Sequence, residues 1–213
     1  MQTKLRSVMI ICAVVGAGCA TTASTINYDN AMADMLKSSF RDQGAVTIDR
    51  LVQDLANNEC SAAGTGDLPA ARATAIEQAN LKTIKWPSDG KFIGDWKKGE
   101  AVAQSGRGAT WSDAAGSANG GNCYNCHQMS KQEVSYGTIG PSLLNYGKLR
   151  NVTDPNSASA KAIVEYTWGK IYNAKAYNAC SNMPRLGHAG VITEDQIRDV
   201  MALLLDPVSP VNQ

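Results

Sequence analysis

Apolar side chains recur at helical spacing in six stretches of this chain, and no stretch shows the strict alternation of a half-buried strand. The first stretch covers residues 29–43, with Met32, Met35, Leu36 and Phe40 on one stripe and Gly44 placed to stop it. A second is expected to start near Thr47 and to face inward through Leu51, Val52 and Leu55. Gly64 and Gly66 then break the chain, and Pro69 opens a third helix, its fixed φ costing no hydrogen bond at that position. Ile76, Ala79 and Leu81 are the inward candidates there. Trp86-Pro-Ser-Asp-Gly90 is a cluster of turn formers and marks an internal boundary.

Beyond that boundary Asp95 can cap a helix running to about Gln104, followed by a long Gly/Ser/Asn-rich loop. Residues 137–141 form another loop. A helix is expected over 157–173, with Ala160, Ile163, Val164, Thr167 and Ile171 on one face. The last helix has the clearest signature: Thr193 and Gln196 make a capping box, Ile197, Val200, Met201 and Leu204 form the stripe, and Pro207 ends it. The class is all-α, without an internal repeat.

The N-terminus changes the picture of where the chain works. Lys4 and Arg6 precede an uncharged, mostly apolar run from Val8 to Gly18, which has the length of an export signal and falls short of a membrane span. No later stretch is long and apolar enough to cross a bilayer. Two processing sites compete. Cleavage after Ala23 would leave a soluble periplasmic protein, whereas the lipobox-like Gly16-Ala-Gly-Cys19 would place a lipid on Cys19, with Gly16 standing where Leu is usual. The organisation expected is a signal over residues 1–23, an N-terminal helical extension over 24–90 and a main domain over 91–213. Lys4 and Arg6 leave with the signal, so the chain's 20 basic residues become eighteen against 19 acidic ones. That balance lacks the basic footprint of a nucleic-acid binder.

Six cysteines stand at 12, 19, 60, 123, 126 and 180. The first two belong to the signal region, and 123 and 126 to a motif. Cys60 and Cys180 are left over, and in an oxidising compartment that pair reads as a disulfide, against the alternative of two separate thiols.

Cys123-Tyr-Asn-Cys126-His127 has the spacing of a covalent haem attachment site. Within one turn, residues i and i+3 lie close enough for both thiols to reach the two haem vinyl groups, and the imidazole at i+4 reaches the iron. A zinc site would need a second ligand pair, and only the scattered Cys60, Cys180 and His188 remain. A redox dithiol would not need the adjacent histidine. The expected cofactor is one covalent haem c, with His127 as an axial ligand.

For the opposite face, Met129 is too close in sequence to His127, while Met32, Met35 and Met201 sit on apolar stripes where core packing is the simpler role. Met183 lies in a polar, irregular segment between Asn182 and Pro184, which makes it the candidate sixth ligand; His188 is its rival.

The motif-bearing region resembles the SoxX family, the monohaem subunit of the SoxAX cytochrome of bacterial thiosulfate oxidation. The likeness rests on Gly137-Thr-Ile-Gly-Pro-Ser-Leu-Leu-Asn-Tyr-Gly147, Asn182-Met-Pro-Arg-Leu-Gly-His188, Ile192-Thr-Glu-Asp-Gln-Ile197 and the Leu205-Asp-Pro207 end, with Asp95-Trp-Lys-Lys-Gly-Glu-Ala101 at the first helix of the domain. It covers roughly residues 91–213. The resemblance implies a class I cytochrome c fold with His127 and Met183 as axial ligands, and the Pro141 carbonyl as partner of the second ring nitrogen of His127. It also implies an electron-accepting role in an L-cysteine S-thiosulfotransferase, in which thiosulfate is joined oxidatively to a cysteine of a SoxYZ-type carrier protein. The bond-forming residues are then expected on a larger haem-bearing SoxA-type subunit, with none catalytic on this chain, and the electrons leave to a downstream cytochrome c. The rival functions are a stand-alone electron carrier and a gas-binding haem sensor; the latter would need an open sixth position.

Overall fold

The computed structural model describes residues 26–64 and 66–213. The signal segment, the Cys19 lipidation site and the cleavage site after Ala23 lie outside the described residues. The chain divides into two compact units, one ending at Phe40 and one running from Arg41 to Gln213.

In the first unit, helix α1 spans Tyr28–Ser39, with the Asn27 side chain accepting from the Asn30 N–H at its start. It is shorter than its pattern suggests. Phe40 is already extended, and none of the helix is buried: Met32 is 54% and Met35 48% exposed. The stripe expected to pack inward therefore has no second layer within its own unit. Gly44 serves a tight turn instead of a helix stop: Gln43 and Val46 exchange backbone hydrogen bonds of 2.9 and 3.0 Å around it.

Among the described residues the second unit carries five α-helices: α2 Leu55–Ala63, α3 Ala70–Leu81, α4 Trp96–Gln104, α5 Lys161–Tyr172 and α6 Glu194–Leu205. The helix expected near Thr47 is only a short 3₁₀ turn, Ile48–Leu51. Asp54 starts α2 afresh by accepting from the Asn57 N–H at 2.9 Å, a cap that leaves Val52 and Leu55 outside and turns Ala56 inward. On α3 the inward residues are Ile76 and Asn80, with Ala79 and Leu81 exposed. Asn80 wins that position because it has partners there: it bonds the Ile76 carbonyl at 2.8 Å and accepts from buried Asn173 at 2.9 Å. The expected helices over 95–104, 157–173 and 193–205 form close to their limits, the 157–173 segment beginning as a 3₁₀ turn at Ala158–Ala160. Among the described residues there is no strand, only an isolated bridge.

Helices α4 and α6 cross at very close range. A Cβ built on Gly99 would stand 2.0 Å from the Asp199 carbonyl oxygen, so only glycine admits this approach. Around that crossing lie the fully buried Trp168, Met201, Leu203 and Leu205. Trp168 stacks edge-on against Phe92 at 5.4 Å and donates its indole N–H to the Lys85 carbonyl at 3.0 Å. The chain end is tied in by Asn212, which accepts from the Gly147 and Lys148 N–H groups at 2.9 and 3.1 Å and donates to the Leu204 and Asp206 carbonyls.

Residues on either side of the Trp86–Gly90 turn share this one unit. A small cluster of Ala56, Ile76 and Ala179 packs α2 and α3 against the loop that leads to Met183. No helix of the described residues is long and apolar enough to cross a membrane.

Candidate haem site

A cavity of about 750 Å³ opens between the 121–127 turn, the 139–143 loop, α5 and the 178–186 segment. Its wall carries Cys126, His127 and Met183 together with the apolar Leu143, Tyr146, Ile171, Leu186 and Leu204. Cys123 packs just behind it: a Cβ on the wall residue Gly121 would lie 3.3 Å from its sulfur.

The motif is held by one tight turn. Asn122 enters it with φ of 51°, and Cys123–Asn125 make a 3₁₀ turn. The Cys126 and His127 N–H groups then both donate to the Cys123 carbonyl, at 3.1 and 2.9 Å. That turn draws residues i, i+3 and i+4 close together, as the spacing requires. Both thiols are free in this structure. Burial pushes the Cys123 thiol up to about 11, so it is neutral at physiological pH.

The 137–143 loop is laced to the turn by three backbone hydrogen bonds: Gly137 to Tyr124 at 2.8 Å, Gly140 to Cys126 at 2.8 Å and Leu143 to Gln128 at 2.7 Å. This lacing delivers the Pro141 carbonyl to within 2.7 Å of His127 Nδ1. A carbonyl only accepts, so Nδ1 carries the proton and Nε2 keeps its lone pair for a metal. Gly140 is forced by the same approach, because a Cβ there would stand 2.2 Å from His127 Cε1. Gly140→Ala is therefore expected to displace the imidazole and cost about 1–3 kcal/mol through overpacking. A lowered thermal midpoint, together with an altered haem spectrum in the visible region, checks this.

Met183 reaches the wall on a loop that α2 and α3 hold from outside. Cys60 and Cys180 form a disulfide with 5.5 Å between Cα atoms. Glu77 accepts from the Ala179 N–H at 3.1 Å, and Arg185 pairs with Asp54 at 2.5 Å. The other described methionines have different surroundings. Met129 and Met201 are buried in the core, and Met32 and Met35 are exposed on α1. His188 is exposed and absent from the cavity wall; partial desolvation of its ring, and then the nearby Arg185, hold its pKa below the usual value.

The cavity suits a haem. It pairs an apolar wall with the Cys126 thiol, the Cys123 thiol just behind Gly121, an imidazole fixed by its second nitrogen and, on the wall, the cations Arg150 and Lys170, whose charge suits the two haem carboxylates. Arg150 is itself positioned by donating to the Tyr146 carbonyl at 3.0 Å and by lying over the Tyr146 ring at 3.6 Å. Tyr146 is fixed in turn through its hydroxyl to Thr167 at 2.8 Å. Sequence reasoning passed over Arg150, Tyr146 and Lys170. Tyr146 lies inside a segment already singled out, and nothing local marks the two cations as facing a cavity.

The family model for cytochrome c matches residues 97–206. This chain belongs to the cytochrome c family. Membership brings covalently bound haem c and an all-α class I cytochrome c fold. The cytochrome is also similar to an uncharacterized lipoprotein of Aquifex aeolicus (strain VF5), with 39% identity over 133 residues that cover 62% of this chain and 59% of the relative. The chain thus spans about three-fifths of the length of the curated relative it matches.

Proposed function

We propose that the cytochrome is the electron-accepting subunit of a SoxAX-type L-cysteine S-thiosulfotransferase, with haem c on Cys123 and Cys126 and with His127 and Met183 as axial ligands. The ligand assignment is carried by one observation: His127 and Met183 line the same cavity, beside Cys126, while His188 does not. When bound, haem c supplies a one-electron couple, whose potential a methionine ligand raises. The residues around it do the rest. The Pro141 carbonyl fixes the His127 tautomer, the 137–143 lacing fixes its direction, and the disulfide-anchored loop presents Met183.

The partner reading is supported by the resemblance across residues 91–213. Joining thiosulfate to a carrier-protein thiol releases two electrons and a proton. Held by Cys123, Cys126 and His127, a haem would supply a one-electron couple through which those electrons would leave singly to a downstream cytochrome c. The new sulfur–sulfur bond forms on the SoxA-type partner, and the carrier protein is of the SoxYZ type. The 24–90 segment favours a subunit over a stand-alone carrier, because it adds helices that a docking partner can use. An exported location fits the N-terminal segment, and tethering through Cys19 gains support from the lipoprotein relative.

Gentle tagged purification from the native host should bring down a second, larger haem polypeptide at equal stoichiometry, visible on a haem-stained denaturing gel. The eluate should transfer thiosulfate to a carrier cysteine. Recovery of this chain alone would leave a stand-alone electron carrier.

A further inference from the structure

A second cavity, of about 510 Å³, lies behind the Met183 loop. Cys180–Pro184 form a shared wall with the haem cavity, while Asn57, Ser61, Lys175 and Arg185 line this cavity alone. Among the described residues no Asp or Glu is on its wall. Arg185 is already paired with Asp54 at 2.5 Å. Lys175 is not: it is 6% exposed, its ammonium donates to the Ala179 carbonyl at 3.1 Å, and among the described residues no carboxylate forms an ion pair with it. An ammonium has three N–H donors, so this buried cation retains donors and lacks a counter-charge.

An uncompensated buried charge costs free energy unless something balances it. Burial first, and Arg185 second, pull the Lys175 pKa below its ordinary value, with Asp54 opposing them. Ser61 and Ser181, with their hydroxyls, and Asn57 and Asn182, with their amides, line the same cavity as the cation. We propose that this cavity binds a small divalent oxyanion of the sulfate, phosphate or thiosulfate kind, with the Lys175 ammonium as its anchoring charge. The anion would sit against the back of the segment that carries Met183, and so would brace the ligand loop. The site stands whether or not the chain docks a SoxA-type subunit.

The test is calorimetric titration of the haem-loaded protein with sodium sulfate, thiosulfate and phosphate at constant ionic strength, with thermal midpoints measured alongside. Millimolar anion keeps the experiment below the range in which sulfate stabilises proteins generally. Saturable binding of at least one anion is expected, with a midpoint that rises with its concentration and does not rise with chloride. The rank order of the three identifies the ligand. Lys175→Met should weaken that binding at least tenfold and abolish the anion-dependent rise, while its midpoint without anion equals or exceeds the parent's. Asn57→Leu, which crowds the cavity without touching the charge, should weaken binding several-fold. Absence of saturable binding by all three anions, or equal binding by Lys175→Met, would overturn the proposal.

Discussion

Met183→Ala will abolish the weak red-region charge-transfer band of a methionine–iron bond and lower the reduction potential on the order of tenths of a volt. The reason lies in the placement of the described methionines. Met129 and Met201 are locked in the core, and Met183 stands on the cavity wall with His127. Without a Met183 thioether to hold the iron, the reduced protein should gain rapid carbon monoxide binding that the parent lacks. His188→Ala should leave band and potential unchanged, because that ring is exposed and off the wall. The visible spectrum and a redox titration of both variants decide the matter, and an unchanged spectrum in Met183→Ala would remove Met183 as a ligand.

Replacing Cys60 and Cys180 together by serine should cost about 2–5 kcal/mol, a fall in the thermal midpoint on the order of 10 °C for a chain of this size. The disulfide joins residues 120 apart, so it restricts a large part of the unfolded chain. It also lies three residues from Met183, which gives a second readout. In the double variant the methionine–iron band should disappear on heating before the helices unfold, whereas in the parent both losses coincide. Two probes, the red-region band and far-ultraviolet circular dichroism, separate these cases. Coincident losses with a midpoint within about 2 °C of the parent would mean that the Ala56–Ile76–Ala179 contacts and the Asp54–Arg185 pair hold the loop unaided.

The helices that came through close to their expected limits are those whose ends are written locally. The Thr193–Gln196 capping box and the Asp95 cap depend on neighbours three residues away or fewer, so their signals survive folding intact. The expectations that failed lie where local pattern competed with context. Leu51, Val52 and Leu55 have helical spacing, but Asp54 caps a new helix between them and turns that face out. Asn80 carries no hydrophobic signal for an inward position. The structure buries it since Asn173, 93 residues away, satisfies its amide. The α1 stripe shows the converse: helical spacing is a property of the segment, whereas burial requires a second layer.

For the site, the residue types and spacing of Cys123, Cys126 and His127 were readable because the chemistry is confined to one turn. The disulfide followed from counting, since two cysteines remained after every other was assigned. The environment of His127 was not readable from the motif. The Pro141 contact depends on three backbone hydrogen bonds between loops more than ten residues apart, and Gly140 is required by an imidazole that no local pattern places beside it. Likewise, Arg150 and Lys170 became cavity residues only when the chain closed around them, as did Lys175, whose burial no run of sequence announces. The amino-acid sequence alone determined the cofactor chemistry and the helical class, because covalent attachment and capping act over a few residues. Tertiary structure decided which methionine lines a cavity with His127, which polar groups are buried and where charge is left unbalanced, because each of these depends on contacts between distant segments.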